Sequence, residues 1–256
     1  MGVYRLGYYP HNVHFILASA QMSGDGEAAI AAAEKLQGLI PDEQLGKAPG
    51  AQPIKAAIYY AHAMFSSPDT ILALPDPGNK APYVAAMWHY ARGVALARRG
   101  DVAAAGMESD AIASIAKTAD LTFLKDAGIP ALDVLKLAQA VVDARIAQAK
   151  RDSTTAIRRF TEAAAIQDTL RYTEPPYWYY PVRQSLAAAL LQAGRLDDAL
   201  EQFQRALKRA PNNGWTYFGL AQLYKARRDT KAARDAEAQL ARTWFGDRAL
   251  LDVSRL

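Results

Sequence analysis

Four histidines and one proline-held aromatic run carry most of the chemically versatile side chains in this chain. His11, His14, His62 and His89 all fall in the first third of its 256 residues. Neutral imidazoles gathered from neighbouring helices would suit zinc, copper or nickel. His11 and His14 stand three residues apart, a spacing that lets two helical side chains face one way and share one ion. Glu174 is the carboxylate nominated to complete such a shell. The second group is RYTEPPYWYYPVR, from Arg171 to Arg183. Two prolines hold Glu174 to Tyr177 extended, and Tyr177, Trp178, Tyr179 and Tyr180 present four rings in succession. Rings on a stiff loop can grip a peptide, a sugar or an aromatic ligand, with Glu174 and Arg183 adding charge at the two ends. Plainer roles stand beside these. His14 packs among aromatic neighbours, His62 and His89 are half-buried with one hydrogen bond each, and the rings plug a lengthened joint. There is no glycine-rich phosphate loop, no H-E-x-x-H pair and no nucleophile elbow, so no known catalytic motif supports an enzyme and the reading leans away from one without closing it.

The elements that must position these residues are clearest between Pro181 and Phe245. Leu186 and Leu190 share one helix, Gly194-Arg195 turns the chain, and Ala199, Phe203 and Ala206 follow on a second helix closed by Pro211. From Gly214 the layout recurs, with Leu220, Ala221 and Tyr224, a turn at Arg228-Asp229, and Ala233. The spacing is about 34 residues, the tetratricopeptide (TPR) period. Ala199 and Ala206 let helix backbones approach, while Leu190 and Phe203 fill the grooves beside them.

The same reading extends upstream. A first hairpin runs from Pro10 to Ile40, turning at Gly24-Asp25-Gly26. A helix from Pro53 to Phe65 stops at Ser66-Ser67-Pro68, with Asp69 capping a short partner. Leu74 to Pro82, LPDPGNKAP, is a loop. Tyr83 to Arg99 is helical and turns at Gly100-Asp101, Leu121 to Pro130 is a less regular link, and Ala156, Phe160 and Ala163 repeat the small-large-small triplet.

Together these predict an all-α, TPR-like helical-hairpin superhelix, an α-solenoid of about six hairpins forming one domain over residues 1–256. The hairpins lie near 10–41, 53–74, 83–116, 131–168, 181–211 and 214–245, with almost no sheet. The first helix of each hairpin should line a concave surface. Along it come His11 and His14, then Tyr60, Tyr90, Arg145 and Gln184, then Trp215 and Phe218. That mixture suits a ligand with apolar and anionic parts. Hairpins several repeats apart can face each other, so His11, His14, Glu174 and Trp178 either border one cavity or cap separate joints.

Hydrophobic residues make up 51% of the chain and there is no cysteine, so a sizeable core forms without disulfides or thiol chemistry. A net charge of +4 is too mild and too evenly spread to point to nucleic acid. MGVYRLGYYP at the start lacks the apolar core of a signal peptide, and no apolar run is long enough to cross a membrane. A soluble, cytoplasmic protein is expected.

YYPHNVHF at Tyr8 to Phe15, AAMWHYARGVALARRGD at Ala85 to Asp101, RYTEPPYWYYPVRQSLAAALLQAGR at Arg171 to Arg195, and PNNGWTYFGLAQ at Pro211 to Gln222 resemble a family of bacterial TPR-repeat proteins. The resemblance covers nearly the whole chain and matches the C-terminal half of longer members. It implies a helical repeat scaffold and brings no known reaction. The function expected is therefore a non-enzymatic scaffold binding a peptide or protein partner on its concave face, without cofactor. Its ligand-binding residues would be Tyr60, Tyr90, Arg145, Glu174, Tyr177, Trp178, Arg183 and Gln184. The alternative is a metal- or small-molecule-binding protein, an enzyme included, that uses the histidines and the EPPYWYY loop, with one transition metal such as zinc or copper.

Overall fold

Each full hairpin turns on the same device. The residue before the second helix's N-cap takes a positive φ at Gly24, Gly100, Arg151, Gly194 and Arg228. The next N–H then reaches back to a carbonyl in the last turn of the first helix, as Asp25 does to Ala20, Asp101 to Leu96, Asp152 to Ala147, Arg195 to Leu190 and Asp229 to Tyr224. This satisfies carbonyls that would otherwise lack partners. Asp25, Asp101, Asp152 and Asp229 also accept a hydrogen bond from the backbone N–H three residues on, which caps the second helix.

The computed structural model describes residues 8–256, so MGVYRLG at the start lies outside the described residues. The first hairpin is α1 (Tyr9–Ser23) and α2 (Gly26–Leu39). A loop with a short 3-10 turn leads to α3 (Ala51–Phe65), whose partner α4 (Pro68–Leu72) is brief. Next come α5 (Pro82–Arg99) and α6 (Val102–Thr118), a short α7 (Thr122–Asp126) within the link, and α8 (Ala131–Ala149) with α9 (Ser153–Thr169). The series ends with α10 (Val182–Gln192), α11 (Leu196–Arg209), α12 (Gly214–Ala226) and α13 (Thr230–Thr243). Six hairpins result, the second truncated, and no strand occurs among the described residues. The fold is an all-α helical repeat. One boundary differs from expectation. Ser67 rather than Asp69 caps α4, accepting from the Thr70 N–H at 3.2 Å, because Pro68 occupies the first helical position. Asp69 instead pairs with Arg99 at 3.0 Å.

The two helices of a hairpin are buried differently. α11 buries only Ala199, Phe203 and Ala206, and α9 buries a stripe centred on Ala156, Phe160 and Ala163. The first helices α3, α5, α8 and α10 are buried on most sides and are rich in alanine. They form the inner layer, and the second helices form the outer one.

The inner layer is not an open groove, contrary to the expectation for the concave face. The array bends until its ends meet, with α1 packing on α12. Trp215 donates its indole N–H to the Gln21 carbonyl at 2.9 Å, and the Phe245 N–H donates to the Ser23 carbonyl at 2.9 Å. The C-terminal residues then run across the interior. Leu256 is buried, and its carbonyl accepts from Arg145 at 3.0 Å and from the Ser185 hydroxyl. Arg145 also donates to Ser254 O at 3.1 Å, and Arg255 donates to Met64 O at 3.0 Å. Tyr90, Gln184 and Trp215 face inward, but they are core. Aromatic rings from the Arg171–Pro181 loop and the chain's own last residues fill the space that a partner would need.

Candidate functional site

A cavity of about 600 Å³ remains open where the first hairpin meets two proline-rich loops. α1 supplies His11, His14, Leu17 and Gln21 to one wall. The α2–α3 connection supplies Ile40, Pro41, Ala48 and Pro49, and α3 adds Ala57 and Tyr60. Thr173 to Tyr177, with Tyr179, closes the opposite side. Pro41, Pro49, Pro53, Pro175 and Pro176 all lie on this lining. Each proline fixes its φ and lacks an N–H, so these walls are stiff and leave few unsatisfied donors. The α2–α3 connection is tied down by Gln52, which donates to Leu45 O at 3.0 Å. Lys55 donates to Gln37 O and Ile40 O at the C-terminal end of α2 and pairs with Asp42 at 2.9 Å. A cation there also complements the negative end of the α2 dipole.

Below the cavity lies an aromatic cluster. Tyr60 stacks on Tyr179 with centroids 4.7 Å apart and an interplanar angle of 18°. Trp178 meets Tyr60 and Tyr90 edge-on at 5.4 and 5.0 Å. The Tyr90 and Tyr179 hydroxyls share a hydrogen bond of 2.7 Å, and Tyr60 bonds to the Tyr83 hydroxyl at 3.3 Å and donates to Met87 Sδ at 3.0 Å. Burial holds the phenols of Tyr60, Tyr83, Tyr90 and Tyr179 well above their usual range, so all stay neutral donors.

The polar content of the wall is small. The His14 side chain is largely withdrawn from water, and burial first, then the charge of His11, push it down to about 4. It is therefore uncharged at neutral pH. The Gln21 Nε2 and Thr173 Oγ1 atoms are buried and have no partner among the described residues. Glu174 is exposed at the rim and accepts from the Tyr172 hydroxyl. Among the described residues, no lysine or arginine lines the cavity.

His11, His14, Tyr60, Glu174 and Tyr177 thus border one space. Trp178 does not. It lies 1% exposed, packed against Tyr60 and Tyr179. Tyr90 and Arg145 belong to the ring's interior, and Gln184 is structural, its Oε1 accepting from Asn213 Nδ2 at 2.9 Å. Arg183 lies apart, bonded to Asp168 and Gln202.

The four histidines do not converge. His62 Nδ1 bonds to the Ser66 hydroxyl at 2.7 Å, and His89 Nδ1 bonds to Glu108 at 2.6 Å, with Arg92 on the other oxygen of that carboxylate at 2.7 Å. The helical phase of His62 and His89 differs from that of His14, which is why α3 and α5 aim them elsewhere. Among the described residues, no three His, Cys, Asp or Glu side chains gather closely enough to hold a metal ion. Gln21, Thr173 and the α2–α3 wall had not been singled out as functional. The one signal for the wall is its proline and glycine content, which marks a loop without saying what it faces.

Residues 190–243 match the tetratricopeptide repeat family, a span running from the end of α10 through α13. Among curated proteins, none matches this sequence. No helix among the described residues is long and apolar enough to cross a membrane.

His14 makes the site's upkeep dependent on pH. Its folded pKa lies below the ordinary value of 6.5, so the unfolded chain binds the proton more readily. The contribution to stability is complete above about 6.5 and is lost as pH falls toward 4. Allowing for partial solvent contact, the loss is about 2 kcal/mol. Urea midpoints of the wild type and His14→Gln at pH 7 and pH 4.5 should differ more for the wild type. Parallel shifts in both proteins would count against this assignment.

Proposed function

We propose that the protein is a non-catalytic helical-repeat binding module that takes a short segment of a partner protein into the cavity between α1, the α2–α3 loop and the Thr173–Tyr177 loop. The carrying observation is the contrast between two surfaces. The inner face is filled by the chain's own side chains, while this cavity stays open with stiff apolar walls and a few polar atoms. The tetratricopeptide match over residues 190–243 agrees with an interaction scaffold, since stacked helical hairpins hold such a surface rigidly. Peptides panned from a random display library test the reading. Ala48 is exposed on the cavity wall, so Ala48→Trp narrows the opening without touching the core. It should weaken the selected peptides by about tenfold or more, a loss of about 1.4 kcal/mol. Unchanged binding would refute the cavity as the site. One observation favours a small molecule as a second reading, because a volume near 600 Å³ is that of an ordinary ligand pocket. A bound mass in native mass spectrometry, lost in Ala48→Trp, would decide for it.

A further inference from the structure

We propose that this cavity selects an uncharged, apolar segment bearing carbonyl acceptors, and rejects a free carboxylate. The inference rests on the cavity's being the binding site and names what that site takes.

The charge inventory comes first. Among the described residues that line the cavity there is no lysine or arginine, and the one carboxylate is Glu174 at the rim. His14 carries no charge at neutral pH, and His11 lies on the exposed side of α1. A carboxylate entering the cavity would give up water and approach Glu174, with no lysine or arginine among the described lining residues to pair with. Burying an anion without a partner is costly, whereas an amide carbonyl brings no net charge.

The second observation concerns donors. Gln21 is 2% exposed, and its Nε2 has no partner; the Thr173 hydroxyl, from the opposite wall, has none either. A buried polar atom without a partner costs stability, so each gains by meeting an acceptor. Both residues line the cavity with their donor atoms buried, and a side-chain rotation that turns either donor inward would let it meet a backbone carbonyl of an extended peptide, with an apolar side chain lying on Tyr60, Tyr177 and Ile54. The prolines of the wall cannot donate, so they offer surface without a competing donor.

N-acetyltryptophanamide and N-acetyltryptophan differ only in the terminal group, neutral in one and anionic in the other. Their affinities can be read by ligand-observed NMR titration at pH 7. The amide should bind about tenfold or more tightly than the acid. Gln21→Leu removes an Nε2 donor that has no partner among the described residues and should weaken the neutral probe about fivefold. Thr173→Val should act in the same direction and carries the test if Gln21→Leu fails to fold. Glu174→Gln should strengthen the acid and leave the amide within about twofold. Equal binding of both probes, no binding of either, or indifference of the amide to both Gln21→Leu and Thr173→Val would overturn the inference. Panned peptides that still depend on Ala48 while the probes show no preference would sink the chemistry and leave the cavity standing. Peptides indifferent to Ala48→Trp would remove the cavity itself.

Discussion

Trp178→Ala is expected to lower the unfolding free energy by about 4 kcal/mol, near the top of the range for a single core truncation. Trp178 is 1% exposed and touches rings from three parts of the chain. Tyr60 comes from α3, Tyr90 from α5, and Tyr179 and Tyr180 from its own loop, with centroids at 5.4, 5.0, 5.4 and 6.0 Å. Removing the indole loses its apolar burial and several edge-to-face pairs, and it leaves a hole that stiff neighbours cannot close. The indole N–H has no partner, so a ring without it forfeits no hydrogen bond. Trp178→Phe should therefore retain more than half of the stability that Trp178→Ala loses. Tyr60 and Tyr179 line the cavity proposed to take a peptide, so on that proposal the alanine variant should also lose peptide binding at temperatures where it is still folded. Urea unfolding followed by circular dichroism measures the first effect. A loss below about 1 kcal/mol would mean the cluster is not the structural centre of the ring.

Much of the architecture was legible because local chemistry repeats. Gly24-Asp25 and Gly100-Asp101 each put a left-handed residue before a capping aspartate, and the second helix of a hairpin follows both. Arg151 and Arg228 take the same left-handed turn without glycine, so the turn is written in the helices on either side as much as in one residue. The triplets at Ala156–Ala163 and Ala199–Ala206 marked outer-helix faces, and those alanines and phenylalanines are buried as the 3.6-residue period requires. The same period placed Tyr60, Tyr90, Gln184 and Trp215 on the inner side. It does not say how far the array curves, so Tyr90, Gln184 and Trp215 are core where the period suggests walls of a groove, and Tyr60 borders the cavity beside α1 instead. Curvature here depends on contacts between the two ends of the chain, which leave no periodic trace. The cavity was half legible. His11, His14 and Glu174 stood out as functional residue types, but Gln21 and Thr173 matter because their polar atoms lack partners, a property of packing alone.

That end-to-end contact sets the last expected result. Gly246→Ala should cost about 3 kcal/mol, although it adds one methyl group to a partly exposed loop. A Cβ at Gly246 would lie 1.7 Å from the carbonyl oxygen of Gly24. The obstruction is backbone, so no side-chain rotation relieves it, and the strand of chain after α13 must move away from the α1–α2 turn. The movement undoes a small interface. Phe245 gives up its hydrogen bond to Ser23, and the Trp244 indole leaves the notch formed by Gly24 and Gly214, where it meets Trp215 at 4.7 Å and 90°. Burial of that indole supplies much of the closing force. Gly106 offers a matched control. It lies inside α6 with nothing within 4 Å of an added Cβ, so Gly106→Ala should stabilise by about 0.5–1 kcal/mol through helix propensity. In Gly246→Ala, hydrogen exchange should accelerate at the ends of α1 and α13 while the turns of the middle hairpins stay protected. Equal thermal midpoints for the two glycine variants would show that the first and last hairpins do not hold the ring closed.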